Sequence, residues 1–314
     1  MKEIGGYFGL EEFSGKELYH GLVAVNNARN ALLYILKARN ISKLYIPYYL
    51  CDSVYEMCKR EGFDYEYYHI DENLLPKFDK HLGDDEYLYV VNYFGQIDRS
   101  KVIELKEKFG NIILDNVQAF FEEPIKGIDT VYSCRKFFGV PDGGYVATDA
   151  RIDGNLSLDL SMDRMRHVLG RYEGNAGDYF SDFRQSDEAF SKIELRAMSK
   201  LTHNILSAVD YNFVRKRREE NFEYLDSCLG QKNGLNVKKV VGPYAYPFYC
   251  EDGPAVRKQL AKEKIFVATL WPNVIQVGNS LEKKYAENIL PLPCDQRYDK
   301  EDMKRIAHSV LQII

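Results

Sequence analysis

The sequence predicts an α/β fold, in which a mainly parallel central sheet flanked by helices precedes a smaller α+β domain. Between about residue 25 and residue 150, short β-rich runs alternate with segments of helical spacing, and this alternation is typical of a parallel sheet with helical crossovers. After "GQKNGLN" the pattern changes to shorter strand-like runs between two helical segments. We therefore predict a large domain at residues 1–212 and a small one at residues 213–314.

The first part of the chain contains a regular series of helices and strands. Helical spacing is present in "ARNALLYILKARN" and "CDSVYEMCKREGF", and "SKVIELKEKFG" ends on a glycine, which is a common helix terminator. The β-rich runs between and after them are "KLYIPYY", "DYEYYHI", "EYLYVVNYF", "NIILDN", "TVYS" and "GGYVATD". Ligands of such sheets bind beyond the carboxyl ends of the strands, so functional residues are expected there.

The later part of the chain is less regular. Residues 151–180 are polar and irregular, which predicts surface and active-site loops, and residues 186–230 have a strongly helical pattern. Strand-like runs follow in "YPFYC", "IFVATLW" and "ILPLP", with helical segments in "GPAVRKQLAKE" and "KEDMKRIAHSVLQII". These runs make up the predicted small domain.

Composition and charge argue against several classes of partner and site. The chain is 45% hydrophobic and 28% charged with a net charge of −5, which argues against nucleic acid or an anionic membrane as the main partner. Its six cysteines form no CxxC pair and its six histidines form no cluster, so we expect reduced thiols, no metal and a cytoplasmic location. The start "MKEIGGYFGL" lacks a secretory signal pattern.

The common cofactor and nucleophile fingerprints GxGxxG, GxxxxGK[ST] and GxSxG are absent from the sequence. An acid and a lysine at successive strand ends remain as candidates. Asp115 ends the apolar run "IILD", where a carboxylate costs desolvation free energy unless it meets a cation or a strong donor. Lys136 follows in a turn-rich apolar segment, and a lysine in an apolar pocket can become a Schiff-base nucleophile.

Each candidate also has an ordinary structural explanation when it is considered alone. Asp115 fits a helix N-cap or a loop acid, and Lys136 fits a surface lysine with a solvated amine. Together they are more informative, because the end of one strand and the turn after the next converge on one face of the sheet.

Several segments resemble the DegT/DnrJ-type sugar aminotransferases, a branch of the fold-type I pyridoxal phosphate enzymes, over most of the chain. The most specific are "IILDNVQAF", similar to the family's D-x-x-Q segment, and "YSCRKFFGVPDGGYVATD", similar to its serine–lysine–Gly-Gly segment. "NNARNALLYIL" resembles the family's first helix, and "LPLPCDQRYDKEDMKRI" resembles its C-terminal close. The resemblance implies the fold-type I architecture and pyridoxal 5'-phosphate as cofactor.

The resemblance also implies a role for each matching residue. Lys136 would form the Schiff base with the cofactor and later move a proton between cofactor and substrate carbons. Asp115 would pair with the protonated pyridine nitrogen and so keep the ring an electron sink. Gln118 would form a hydrogen bond near the ring's O3′. The phosphate would be held by Ser133 and by the backbone around Ala28, Arg29 and Asn30 at a helix N-terminus.

The chain departs from the family's pattern in several places. The family usually has glycine at the position of Ala28. The position of the aromatic residue that stacks on the ring falls near Cys51, with Tyr48, Tyr49 and Tyr93 as neighbouring candidates. The segment for a phosphate contact from the partner subunit is diverged. The chain is also short between residues 150 and 200, a region that helps to form the substrate site.

The resemblance implies a cytoplasmic homodimer with its active site at the subunit interface. Its reaction would transfer an amino group from glutamate to a nucleotide-linked keto sugar in surface polysaccharide (capsule or O-antigen) biosynthesis. Lys136 would act as general base and acid in this ping-pong reaction. A sugar dehydratase is one alternative, although that branch typically has histidine in place of Lys136. The other alternative is a pyridoxal phosphate-binding protein that is catalytically divergent or silent and serves as a binding or regulatory module.

Overall fold

A computed structural model describes residues 4–314, so residues 1–3 of the predicted large domain lie outside the described part. The described strands form a large sheet and a two-stranded sheet. Their bounds are β1 Val23–Val25, β2 Lys43–Pro47, β3 Asp64–Ile70, β4 Pro76–Lys77, β5 Glu86–Val91, β6 Ile112–Asp115, β7 Asp129–Ser133, β8 Gly144–Ala147, β9 Tyr246–Tyr249 and β10 Ile289–Leu292.

Helices cover the large sheet and make up most of the C-terminal part. Their bounds are α1 Ala28–Ala38, α2 Asp52–Glu61, α3 Arg99–Phe109, α4 Arg166–Glu173, α5 Phe180–Phe190, α6 Lys200–Ser207, α7 Tyr211–Leu229, α8 Gly253–Lys262, α9 Val274–Val277, α10 Ser280–Asn288 and α11 Lys300–Ile313. Among the helices of residues 4–314, none has both the length and the apolar character needed to cross a bilayer.

The large sheet has the strand order β1-β8-β7-β6-β5-β2-β3-β4. Its five central strands β3, β2, β5, β6 and β7 run parallel, which confirms the predicted mainly parallel sheet. β8 pairs antiparallel with both β7 and β1. Val25 lies opposite Gly144, and Gly144 lies opposite Ser133. The chain that leaves β1 therefore begins α1 at the same sheet edge at which β7 ends.

The turn before β8 depends on two glycines. Gly143 has a φ of +115°, a conformation that side chains rarely adopt. A Cβ on Gly144 would lie only 2.8 Å from the carbonyl carbon and oxygen of Asn27, so a glycine at this position lets β8 approach the start of α1. Buried Asp142 anchors the same turn to α6 by accepting hydrogen bonds from the backbone N–H and hydroxyl of Ser199 at 2.9 and 2.7 Å.

Three predictions for the later part of the chain were wrong or incomplete. Residues 151–180 were predicted to be irregular, but they include α4. The predicted helical stretch 186–230 is interrupted between α5 and α6 and again before α7. "IFVATLW" forms no strand and pairs with none in the described chain. Ile265 packs in the cluster of the C-terminal part, whereas Trp271 packs edge-on against Tyr49 beside the large sheet.

The C-terminal part has a hydrophobic cluster of its own. It joins residues of α7, α8 and α11 to β9 and β10, which pair antiparallel. α9 and α10 instead contribute Val274, Tyr285 and Ala286 to the cluster of the large sheet. The predicted boundary at 212/213 lies within the first turn of α7, so this helix belongs to both parts. The division into two domains stays a prediction.

Candidate active site

Lys136 lies in the turn after β7, at the carboxyl edge of the parallel strands. The turn is stabilised by the carbonyl oxygen of Cys134, which accepts hydrogen bonds from the N–H groups of Phe137 at 3.0 Å and Phe138 at 2.9 Å. The residue as a whole is half-buried. Burial of the amine lowers the pKa of Lys136, and the carboxyl group of Asp115 opposes part of this shift. Among the described residues its amine forms no hydrogen bond or salt bridge, so it is free to react.

Asp115 ends β6 and is only 3% exposed. Its carboxylate accepts hydrogen bonds from the Tyr89 hydroxyl at 2.7 Å and from the Val117 N–H at 2.8 Å. Burial raises the pKa of Asp115, although the Lys136 amine and both of these donors act in the opposite direction. No cation within residues 4–314 is ion-paired with this carboxylate. A positively charged group placed beside it would stabilise the ionised form.

Gln118 and Asn27 each keep a buried donor without an acceptor among the described residues. The Gln118 side chain is 1% exposed, and its Oε1 accepts a hydrogen bond from the Phe94 N–H at 2.9 Å, whereas its Nε2 has no partner. The Asn27 Oδ1 caps α1 through the Asn30 N–H at 2.9 Å, whereas its Nδ2 has no partner. Buried polar groups are normally satisfied, so these two amides indicate places for acceptors of a ligand.

The first turn of α1 lies at the same edge of the sheet. The N–H groups of Ala28 and Arg29 have no acceptor within the described part of the chain, as expected for the first positions of a helix. The donors of Asn30 are already used within the chain. Its N–H donates to Asn27 Oδ1, and its side chain donates to Asn26 Oδ1 at 2.7 Å and to Glu194 O at 2.9 Å. Ser133 is buried at the end of β7. Free N–H groups at a helix N-terminus favour an anion.

The aromatic candidates named from the sequence lie in different surroundings. Tyr48 stacks on Tyr67 with the ring centroids 4.5 Å apart, whereas Tyr49 and Tyr93 pack edge-on against Trp271 at 4.7 and 5.5 Å. Each of the three tyrosines is therefore packed against another aromatic ring of the described chain.

Cys51 precedes α2 and lies close enough for its thiol to influence the pKa of Lys136. Burial raises the pKa of the Cys51 thiol, and the Lys136 amine opposes part of this shift. The sequence position that resembles the family's stacking aromatic is therefore near the amine, although it carries a thiol.

The structure adds neighbours of Lys136 that sequence reasoning missed. The Lys136 Nζ lies 5.6 Å from the ring centroid of Tyr244, a residue 108 positions later in the chain. Arg135, which precedes the lysine, stacks on Phe190 of α5 with 3.8 Å between guanidinium carbon and ring centroid. Arg135 also reaches Asp187 at 3.4 Å. No local sequence signal identifies these contacts, because Tyr244 and α5 follow the lysine by many residues.

No cluster of three or more His, Cys, Asp or Glu side chains suited to a metal ion is present among the described residues. The site instead combines a free amine of lowered pKa, a buried carboxylate without a cation, an unsatisfied amide donor on Gln118, and a second one on Asn27 at the N-terminus of α1. This donor set fits a ligand that carries a carbonyl group, a basic ring nitrogen and a phosphate.

Comparisons with known proteins give a clear result for the fold alone. Neither the family models nor the curated proteins include a match to this chain. A DegT DnrJ EryC1 StrS aminotransferase from Brucella abortus has 13% sequence identity and a TM-score of 0.61, and the match covers 93% of this chain and 85% of that one. Helicobacter pylori PseC, an aminotransferase involved in the biosynthesis of pseudoaminic acid, has 13% identity and a TM-score of 0.60, with 96% and 99% covered.

Ntda from Bacillus subtilis, solved with its bound cofactor PMP, has 13% identity and a TM-score of 0.66, and the match covers 93% of this chain and 73% of that one. All three similarities extend over most of the chain, and they include both the large sheet and the C-terminal part. The chain therefore has the fold of the DegT/DnrJ/EryC1/StrS aminotransferase structures, as the sequence predicted.

Proposed function

We propose that this protein is a pyridoxal phosphate-dependent aminotransferase. One observation carries the proposal: the free amine of Lys136 and the buried carboxylate of Asp115 lie close together at the sheet edge where α1 begins. The fold shared with aminotransferases supports it. When bound, pyridoxal phosphate supplies a carbonyl carbon for an amine and a ring that delocalises negative charge.

Each residue of the site contributes one task to this chemistry. Lys136 provides the amine, which loses its proton more readily than that of an ordinary lysine because burial lowers its pKa, and the same nitrogen would then accept and return a proton. Asp115 holds a positive charge at a ring nitrogen, and its orientation is fixed by Tyr89 and Val117. The Nε2 of Gln118, which has no partner among the described residues, would donate to a ring oxygen.

The phosphate is assigned to the start of α1. The N–H groups of Ala28 and Arg29, the Nδ2 of Asn27 and the hydroxyl of Ser133 would donate to its oxygens. Asn30 contributes indirectly, since its hydrogen bonds to Asn27 and to Glu194 O hold the helix start in place. The positive end of the helix dipole adds to the attraction for a dianion.

The finer parts of the proposal are the substrates and the assembly. We propose glutamate as amino donor, a nucleotide-linked keto sugar as acceptor, a role in surface polysaccharide biosynthesis and a cytoplasmic homodimer with its active site at the interface. Exposed apolar side chains on the N-terminal segment and around α4 and α5 support a subunit contact. They are Ile4, Tyr7, Phe8, Leu10, Leu160, Met162, Leu169, Tyr172 and Phe180. Sedimentation analysis tests the dimer.

An absorbance measurement tests the reaction. Purified protein mixed with pyridoxal phosphate is expected to develop a band on the order of 410–430 nm, which L-glutamate then bleaches. Absence of the band would refute the cofactor proposal. A band that glutamate and other amino acids leave unchanged would instead identify a catalytically silent pyridoxal phosphate-binding protein. A panel of nucleotide-linked 3-keto and 4-keto sugars, offered to the glutamate-treated protein, identifies the acceptor.

The pH dependence of cofactor capture is a further prediction. The neutral amine is the reactive form, so the capture rate rises with pH as Lys136 loses its proton. Because burial lowers the pKa of Lys136, half of the maximal rate is expected below the value of about 10.4 for an ordinary lysine. Stopped-flow absorbance across this pH range measures the midpoint. A midpoint at or above the ordinary value would show that the amine is solvated.

A further inference from the structure

A buried arginine of α7 binds the turn that carries Lys136. Arg218 is 1% exposed, and its Nη2 donates a hydrogen bond to the backbone oxygen of Phe137 at 3.2 Å. Its guanidinium carbon also lies 4.6 Å from the centroid of the Phe137 ring. Phe137 directly follows Lys136, so this arginine holds the peptide unit between Phe137 and Phe138, one residue beyond the lysine.

Gln296, which follows β10 in the same C-terminal part, binds the same carbonyl oxygen. Its Nε2 donates to Phe137 O at 2.8 Å, and its Oε1 accepts a hydrogen bond from Arg218 Nε at 2.8 Å. Two mutually bonded side chains therefore converge on one backbone oxygen. This arrangement determines the direction of that carbonyl group more strictly than a single hydrogen bond would.

Arg218 also holds the aromatic residue that faces the lysine amine. Its Nη1 donates to Pro243 O at 2.8 Å and to Tyr244 O at 3.5 Å. The Tyr244 ring is the one whose centroid lies 5.6 Å from Lys136 Nζ. The Arg218 guanidinium thus connects the turn that carries Lys136 with Tyr244, whose ring lies beside the lysine amine.

Burying the Arg218 cation without an ion pair costs desolvation free energy, so a mere packing role does not explain this residue. Within residues 4–314 no carboxylate forms a salt bridge with Arg218, and Asp295, whose charge acts on it, is paired with Arg297 at 2.7 Å. An apolar side chain could fill the same space at lower cost. The planar fork of arginine is instead suited to several acceptors at fixed angles.

We propose that Arg218, together with Gln296, is a positioning residue for Lys136. The pair ties the lysine turn to α7, to residues 243–244 and to the segment after β10, so that the direction of the amine depends on how the C-terminal part packs. This inference rests on the proposed role of Lys136 as the group that captures the cofactor.

The test uses Arg218→Met and Gln296→Met, which remove the donors and retain chain length, and Arg218→Lys, which retains the charge. Leu229→Ala is the matched control. Leu229 is a fully buried residue of the same helix that packs in the hydrophobic cluster of the C-terminal part, a cluster that contains no residue of the lysine turn.

Two readouts separate positioning from stability. Amide hydrogen exchange of residues 134–140, measured without cofactor, is expected to accelerate in both methionine variants. Capture of pyridoxal phosphate is expected to slow about 10- to 100-fold, as for a misplaced reacting group, with partial recovery in Arg218→Lys. Leu229→Ala is expected to lower the melting temperature, because it leaves a cavity in the core, and to leave both readouts at their wild-type values.

Wild-type exchange and capture rates in the methionine variants would overturn the proposal, and so would equal slowing in Leu229→Ala. If Arg218→Met does not fold, Gln296→Met decides by the same criteria. Failure of the proposed function has a different signature. In that case the wild-type protein captures no pyridoxal phosphate, while exchange of residues 134–140 still accelerates in the variants and supports the positioning of the turn.

Discussion

Replacement of Lys136 with alanine is expected to abolish the band formed with pyridoxal phosphate and to reduce amino transfer by about 10²- to 10⁴-fold or more. The substitution removes both the amine that captures the carbonyl carbon and the group that moves the proton. Borohydride reduction followed by peptide mass spectrometry is expected to locate the wild-type adduct on residues 132–146 and to find none in the variant.

An exposed lysine gives the matched control for this experiment. Lys216→Ala removes a 77% exposed amine on α7 and is expected to leave the band and the adduct unchanged. Retention of the band in Lys136→Ala, or an adduct on another lysine, would contradict the assignment of Lys136.

Replacement of Asp115 with asparagine is expected to preserve capture of the cofactor and to slow amino transfer on the order of 100-fold or more. Asparagine retains the shape of the side chain and its contact with the Tyr89 hydroxyl. It lacks the negative charge that would hold a protonated ring nitrogen, so the ring withdraws electrons less well. Single-turnover bleaching by L-glutamate measures the effect directly.

Asp129→Asn is the matched control, because Asp129 is a buried aspartate at the opposite end of the neighbouring strand β7. It pairs with Arg39 at 2.9 Å, far from the carboxyl edge of the sheet. Its loss is expected to lower stability and to leave the bleaching rate of the folded protein unchanged. Equal slowing in both variants would show that the effect of Asp115→Asn is structural.

The elements that carry the site could be predicted from local patterns. The helix "ARNALLYILKARN" and the strands "DYEYYHI" and "NIILDN" form where the sequence predicts them, because their residues combine local propensity with a consistent buried face. The carboxyl ends of β6 and β7 lie at one edge, which brings Asp115 and Lys136 together.

The same reasoning failed where burial depends on distant partners. "IFVATLW" has the composition of a strand, but no strand of the described chain pairs with it, so its side chains pack individually. α4 is rich in polar and charged residues, and its only buried residue is Gly170. A periodic apolar signal was therefore missing in that segment.

By itself the sequence determined the order of helices and strands, the mainly parallel sheet, and the placement of an acid and a lysine at successive strand ends. Only the tertiary structure decided that the Lys136 amine has a lowered pKa, that Gln118 and Asn27 keep free donors, and that Arg218 holds the lysine turn. The physical reason is the separation along the chain over which each effect acts. Propensity and periodicity act over a few residues, whereas desolvation and hydrogen-bond satisfaction depend on groups about 100 positions away in the chain.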